Sequence, residues 1–469
     1  MAYRRSSHSP VRWPVLIALL VVGGLAGLSL AVYLSVPRLT AFRPAEGAQN
    51  ASPRATIQIT FDRPMDQASV EGALRLEPAL PGAFTWEGST VRFTPRQSWP
   101  VESRVTVTLA GGRSQLGLPL LEERRWTFNV GRERLLFLYG LTPNLTTISI
   151  TPDDTPQPLT DEPFGVNEFA LSPDGGRIVY SARREDGGAA LKMINMDGSG
   201  AQALAACPGA SCRAPDFAPD GNRLAYERHS ATLSATGQVS FSDPRVYVYT
   251  FETTNVIAGD LEPQTRAPHW TPDGRLSFYD ADRQAVAVLN VASGEVTYIP
   301  TTSAERGAWS PDGALFVYPE ISLPADAPAI TDTAPAVNRA FYSHLLRVTV
   351  ATNATENLSG SGIVEDAAPA YSPDGTRLAF ARKGLTNATW TPGRQLWLMR
   401  ADGADAHPLT NDPIYHHSAF AWNRDNQRLA FMRFNATDNA EAAEIWIINA
   451  DGSGARRLVV GGYAPVWIP

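Results

Sequence analysis

Residues 371–382 read "YSPDGTRLAFAR", and close copies of that stretch recur along the chain. They are "LSPDGGRIVYSA" at 171–182, "FAPDGNRLAYER" at 217–228, "WTPDGRLSFYD" at 270–280 and "WSPDGALFVYPE" at 309–320. A sixth copy, "FAWNRDNQRLAFMR" at 420–433, keeps Trp422 and Leu429-Ala430-Phe431 but replaces the turn with Asn423-Arg424-Asp425-Asn426. Pro173, Pro219, Pro272, Pro311, Pro373 and Arg424 mark a period of 46, 53, 39, 62 and 51 residues, the size of a four-stranded antiparallel blade. In each turn Pro presets φ near −65°, Asp bonds its own backbone, and Gly frees the chain to reverse into the next strand. The repeated Asp is therefore a turn-former and not one of a row of catalytic acids. The aromatic two residues ahead of the Pro (Phe217, Trp270, Trp309, Tyr371, Trp422) is placed to pack between neighbouring sheets.

Composition agrees with an all-β reading. The 469 residues include 37 Gly, 37 Pro and 11 Trp, and 43% are hydrophobic, enough to build cores in more than one domain. The formal charge of −7 carries no basic block, which argues against nucleic acid as a partner. Further strands end in Asp-Gly turns, as in "LKMINMDGSG", "QLWLMRADGAD" and "EIWIINADGSG". The chain ends on "GYAPVWIP", in register with a first strand and nothing after it. Residues 134–160, "RLLFLYGLTPNLTTISITPDDTPQPLT", read as second, third and fourth strands lacking a first. Pairing the two gives one shared blade and seven in all, and removes both exposed edges. A six-bladed ring with a loose N-terminal hairpin is the alternative.

The SPDG anchors, the strand after each and the "ADGxxxxxLT" endings make residues 131–469 resemble the TolB-like propeller and its relatives with WD-like repeats. That resemblance implies a fold and leaves function open, because such propellers include protein-binding, glycan-related and peptidase-associated members. Residues 38–130 lack the repeat. "ATIQITFDRPMD", "STVRFTP", "SRVTVTLAG" and "RRWTFNV" alternate with period two, as a small sandwich of about seven strands does. With Phe61-Asp62-Arg63-Pro64-Met65-Asp66 they resemble the bacterial Ig-like domain of the SbsA type, which implies a spacer or contact module. Asp62 and Asp66 read as turn and strand-end residues in preference to a calcium pair.

Residues 13–36, "WPVLIALLVVGGLAGLSLAVYLSV", hold no charge. As a helix they would span about 36 Å, enough to cross a hydrocarbon core of about 30 Å. Arg4, Arg5 and Arg12 precede them, so the expectation is a cytoplasmic tail at 1–12 and a single-pass signal-anchor at 13–36 with the bulk of the chain outside; a cleaved signal peptide is the rival. Cys207 and Cys212, the only cysteines, could close a small loop disulfide in an oxidising compartment, or stand as two free thiols. Their surroundings do not suit zinc.

No catalytic constellation emerges. "LSGSGI" at 358–363 comes nearest to a nucleophile elbow, but Ser359 stands where Gly is needed. His416-His417 has no supporting ligand nearby, so no metal and no cofactor is expected. The turns between strands one and two and between three and four are short and uniform and must share one face. The longer connections share the other, where a rigid scaffold binds. On that face Arg213, Arg266 and Arg306 precede the aromatics of three successive blades in "CRAPDF", "TRAPHW" and "ERGAW". Asn167, Glu305, Asp366 and His417 fall at neighbouring positions. The arginines could take a carboxylate or phosphate bidentately, or be paired with acids such as Glu305 and Asp366. The expected function is binding of a protein or cell-wall component without turnover. A propeller enzyme acting on a glycan or peptide, and a structural envelope element, are the alternatives.

Overall fold

The computed structural model describes residues 36–49, 51, 53, 55–150, 154–204, 207, 209–234, 236–251, 255–258, 264–322 and 342–468. The chain divides into two compact units, residues 1–132 and 133–469. The first holds seven strands in two sheets. One is ordered Leu39–Arg43, Ile57–Phe61, Thr90–Pro95, Gly82–Glu87, and the other Leu74–Glu77, Arg104–Leu109, Arg124–Asn129. Alternation decides which side chains go inside: Ile57, Ile59, Phe61, Val105, Val107, Leu109, Trp126 and Phe128 all join one core. Asp66 caps the helix Gln67–Ala73, its carboxylate accepting the Ser69 N–H at 2.8 Å. Asp62 accepts the Arg38 N–H at 2.9 Å and pairs with Arg63.

One expectation is corrected here. The tail 1–12 and the spanning helix at 13–36 lie outside the described residues except for Val36. Among the described residues no helix is long and apolar enough to cross a membrane. Gln67–Ala73 has seven residues, about 10 Å of helix, where a crossing needs about 20 residues. The single-pass membrane placement is overturned on that ground and is not carried further.

Among the described residues the second unit forms six sheets, one of them eight-stranded because Tyr342–Thr349 and Val364–Tyr371 share a single parallel bridge, Ser343 opposite Glu365; divided at that bridge they make seven antiparallel blades. Blade two is Val166–Leu171, Arg177–Arg183, Ala189–Asn195 and Gln202–Ala203; blade four is Thr265–Trp270, Leu276–Asp280, Ala285–Leu289 and Val296–Pro300. Blade three begins with Ala210–Phe217. Its second strand, Arg223–Leu233, runs on past the blade to pair with Val239–Phe241. Blades five, six and seven begin at Ala308–Trp309, Val364–Tyr371 and Tyr415–Trp422. Blade one is shared: Gly462–Trp467 pairs antiparallel with Arg134–Tyr139, Tyr463 opposite Leu138 and Trp467 opposite Leu135. The first strands of blades two to four lie side by side, as do those of blades five, six, seven and one, as inner strands around a central channel do.

The repeated turn is built as its residues require. Ser172 donates its hydroxyl to Asp174 Oδ1 at 2.7 Å, Asp174 Oδ1 accepts the Gly176 N–H at 3.0 Å, and Gly175 takes a φ of 70°. Ser310 with Asp312 and Ser372 with Asp374 repeat the bond at 2.5 and 2.6 Å. In the degenerate copy Asn423 accepts the Gln427 and Arg428 N–H groups, and Asn426 supplies the positive φ of 61°. The arginine after the turn reaches the next blade. Arg177 and Arg275 donate to the carbonyls of Gly221 and Gly313 at 2.8 Å, and Arg377 to that of Asn426. Their cationic planes also cover the next aromatic: Arg223 lies 4.5 Å from the Trp270 ring and Arg377 5.0 Å from Trp422, contacts worth roughly 0.5–2 kcal/mol each.

Trp467 closes the ring by the same device, donating its indole N–H to Ala421 O at 3.0 Å from a nearly buried site. Replacing Trp467 with Ala is expected to cost about 3–5 kcal/mol. Urea unfolding should show the loss in the propeller transition, with the transition of the first unit unmoved.

Candidate binding site at the channel mouth

Six of the seven first strands are kinked, that of blade five, Ala308–Trp309, being the exception. The pairing register slips between Val166 and Phe169, Arg213 and Asp216, Arg266 and His269, Ala367 and Ala370, Ser418 and Ala421, and Tyr463 and Val466. At five of these bulges an alanine takes a left-handed φ: Ala214 at 47°, Ala267 at 54°, Ala368 at 49°, Ala419 at 53° and Ala464 at 47°. A residue with a Cβ held there costs about 1–2 kcal/mol, and the repeated cost goes with a repeated effect. The bulge re-aims the flanking side chains towards the channel. In blades four to seven and in the shared blade, the residue just before the inner aromatic lines a cavity of about 390 Å³: His269, Ala308, Ala370, Ala421 and Val466, together with Trp309, Tyr371, Trp422 and Trp467.

None of the three arginines lines that cavity, which reaches the short-turn residues Pro272, Pro373 and Arg424, and they are not a free cationic arc. Arg306 is spoken for by Asp216, 3.1 Å from its Oδ1, while His269 Nδ1 lies 3.0 Å from Oδ2 and the Trp270 N–H donates to the same oxygen at 2.7 Å. Burial opposes a charge on Asp216, yet His269 and Arg306 outweigh it and hold the carboxyl below its ordinary value. Arg213 stands directly opposite Glu227 in the register. Arg266 sits over the Tyr279 ring at 5.1 Å, close enough to Glu227 to favour its ionised form. Glu227 Oε1 accepts the bulge N–H of Ala267 at 2.6 Å. Although burial opposes its charge, His229 and that N–H bring its carboxyl below the usual value. Glu168 accepts the bulge N–H of Ala214. There burial prevails over that bond and over Arg213, and the carboxyl is raised.

The remaining expected residues scatter. Asn167 accepts from Arg183 Nε at 2.6 Å, a bond within its own blade. Asp366 lies outside the arc, being fully buried, gripped by Arg382 Nε and Nη2 at 2.7 and 2.6 Å and by the Ser359 hydroxyl at 2.5 Å. His417 is equally buried, its Nδ1 2.9 Å from Arg394 O, and burial pushes both it and His416 down to about 4. Both imidazoles are therefore neutral near pH 7. Glu305 gives only its backbone N–H, to Ser303 Oγ at 3.1 Å, so the partners imagined for the arginines are not the ones they have. Cys207 and Cys212 are joined as a disulfide that ties down the chain just ahead of Arg213.

Sequence reasoning missed Glu168, Asp216, Glu227, His229 and His269. A signal existed for two of them: in "APDF" and "APHW" a charged or polar residue occupies the position that elsewhere reads Ala or Val. No group of three or more metal-ligating side chains occurs among the described residues.

Residues 35–130 match the model of the bacterial Ig-like domain. A β-propeller, read from its sheets and repeated turns, follows that domain. Among solved structures, the chain is similar to a putative TolB from Agrobacterium tumefaciens at 15% identity and a TM-score of 0.37, covering 71% of this chain and 90% of that one. It is similar to TolB from Acinetobacter baumannii at 13% identity and a TM-score of 0.41, covering 85% and 83%. For the β-propeller domain of the Trilobed protease from Pyrococcus furiosus the values are 8% and 0.45, covering 77% and 94%. The sheet order and repeated turns, not these scores, carry the propeller. One curated relative, the uncharacterized peptidase YuxL of Bacillus subtilis (strain 168), is 26% identical over 196 residues, which are 36% of this chain and 29% of the relative. The chain thus spans less than a third of that relative's length.

Replacing Asp366 with Ala strands the nearly buried Arg382 guanidinium. The expected loss is about 3–5 kcal/mol by chemical denaturation, which would mark Asp366 as a support of the fold and remove it from the binding arc.

Proposed function

We propose that the propeller binds another protein through its long-connection face, without turnover. The observation that carries this reading is an asymmetry between the two faces. Leu141, Phe164, Leu233, Ile363, Trp390 and Ile414 are large apolar side chains left exposed, and all sit on connections between strands two and three, on the strand leading into one, or on links between blades. Among the described residues the short turns of the opposite face carry no exposed large apolar side chain. Monomeric proteins seldom leave such groups together on one face unless something covers them.

The charged arc adds direction. Arg213, Arg266 and Arg306 alternate with Glu168, Glu227 and Asp216, so the mouth presents both signs and suits a partner whose polar groups are themselves mixed. Backbone links at Ile363–Leu385, Gly384–Trp390 and Pro413–Gly393 bring Ile363, Trp390 and Ile414 together on blades six and seven, away from that arc. The apolar anchor and the charged arc lie on different blades of one face, and a specific interface draws on both kinds of contact.

A second reading, an enzyme working at the mouth, is favoured by one observation: Glu168 and Glu227 lie close enough to influence each other and are displaced in opposite directions, as an acid and base pair would be. It would be supported by turnover of a glycan or peptide that is abolished by Glu168→Gln with binding intact.

The docking reading is tested by placing a photo-crosslinking residue in turn at Trp390, Ile414, Asp402 and Ser199 in the full chain in its own cells. A single protein crosslinked at the first two sites and not at the last two is expected. Once that protein is purified, Trp390→Ala should weaken binding about 10- to 30-fold. Crosslinks confined to Asp402 and Ser199, or unchanged affinity in Trp390→Ala, would contradict it.

A further inference from the structure

One histidine stands between the extension of blade three and the carboxylate that reaches blade four. His229 lies where the strand Arg223–Leu233 leaves the blade to pair with Val239–Phe241. Its Nδ1 is 2.9 Å from Ser242 O. A carbonyl can only accept, so Nδ1 carries the proton in either charge state. The other nitrogen, Nε2, is then left facing Glu227 Oε2 at 3.6 Å, buried and otherwise without a partner. Glu227 is two residues back on the same strand and hence on the same face. Its second oxygen accepts the Ala267 N–H of blade four at 2.6 Å.

This arrangement has one proton too few when the imidazole is neutral, because a bare Nε2 and a carboxylate oxygen are both acceptors. Protonated, the same pair becomes a charge-assisted hydrogen bond. We propose that His229 and Glu227 form a proton-operated latch that fixes the extended hairpin strands to the bulge of blade four. The latch would regulate the face assigned above to partner binding, and rests on that reading only in what it controls. Leu233 and Val239, both exposed, sit on the two strands it holds.

The charges facing the latch set its direction. Glu227 favours the imidazolium, and so does the Ser242 carbonyl. Burial and Arg213, from the first strand of blade three, oppose it, and the balance raises His229 above its ordinary value of 6.5. Arg266 from blade four and Glu168 from blade two act on Glu227 and on the neighbouring arc. A raised value in the folded state means that the latch is fully closed below about pH 6.5 and opens as pH rises through the folded value. Alkaline conditions loosen the hairpin, and acid ones hold it until Glu227 itself takes a proton.

The test uses the full chain alone, so its failure is distinct from failure of the docking reading. The His229 ring is titrated by NMR while exchange of the Ala267, Ser230 and Ser242 amides is followed and corrected for the intrinsic pH dependence. His229 is expected to titrate above 6.5, with protection of the Ala267 amide falling about tenfold as it does so. In Glu227→Gln the titration should move down. In His229→Gln, whose amide can donate at every pH, the protection should lose its pH dependence. Ala267 protection that ignores the His229 titration, or a His229 titration unchanged in Glu227→Gln, would overturn the latch. Should Glu227→Gln fail to fold, the His229→Gln comparison decides the matter by itself.

Discussion

Everything in the propeller depends on how one blade holds the next. A four-stranded sheet has two apolar faces and cannot bury either alone, so its stability comes from its neighbours. Here the link is specific as well as apolar. An arginine after the turn crosses to the following blade, covers its inner aromatic and donates to a carbonyl in its turn, as Arg177 and Arg377 do, and Arg275 makes the same carbonyl link. Tryptophans return the connection, with Trp422 donating to Ala370 O at 3.1 Å and Trp467 to Ala421 O at 3.0 Å. A chain of such links has an end unless the last blade meets the first. The strand Gly462–Trp467 removes that end by completing a sheet begun more than 300 residues earlier.

Ring closure also sets the geometry of the mouth. Small residues, Ala308, Ala370 and Ala421, line the cavity between the inner strands, and bulges shift the backbone beside Ala370 and Ala421. The left-handed alanines leave N–H groups pointing away from their own sheets. In blades three and four a carboxylate from nearby, Glu168 or Glu227, takes them up. The charged arc is therefore part of the scaffold as well as a recognition surface, and its arginines work beside acids instead of alone.

The turns, the strand periodicity, the aromatic packing positions and the shared blade were legible because each is written within one repeat, or in the match between a truncated start and a truncated end. The charged arc was only half legible. Arg213, Arg266 and Arg306 stood out by position, but Arg306 meets Asp216 across 90 residues of chain, and no local pattern announces such a contact. Asp366 and His417 looked like rim residues by spacing, while packing put them inside; their second strands supply Arg382 and Phe431 to cover them. The apolar run at 13–36 suggested a membrane helix on hydropathy alone, and no described helix answers to it.

Native-state hydrogen exchange of the amides that join Gly462–Trp467 to Arg134–Tyr139 tests the closed ring most directly. The amides of Leu135 and Trp467 should exchange with the same opening free energy as those in the central strands of blade four, because breaking the shared sheet opens the whole propeller. Exchange of the shared blade at much lower free energy, with blades two to six still protected, would show that the ring stands without its closure and would contradict the account.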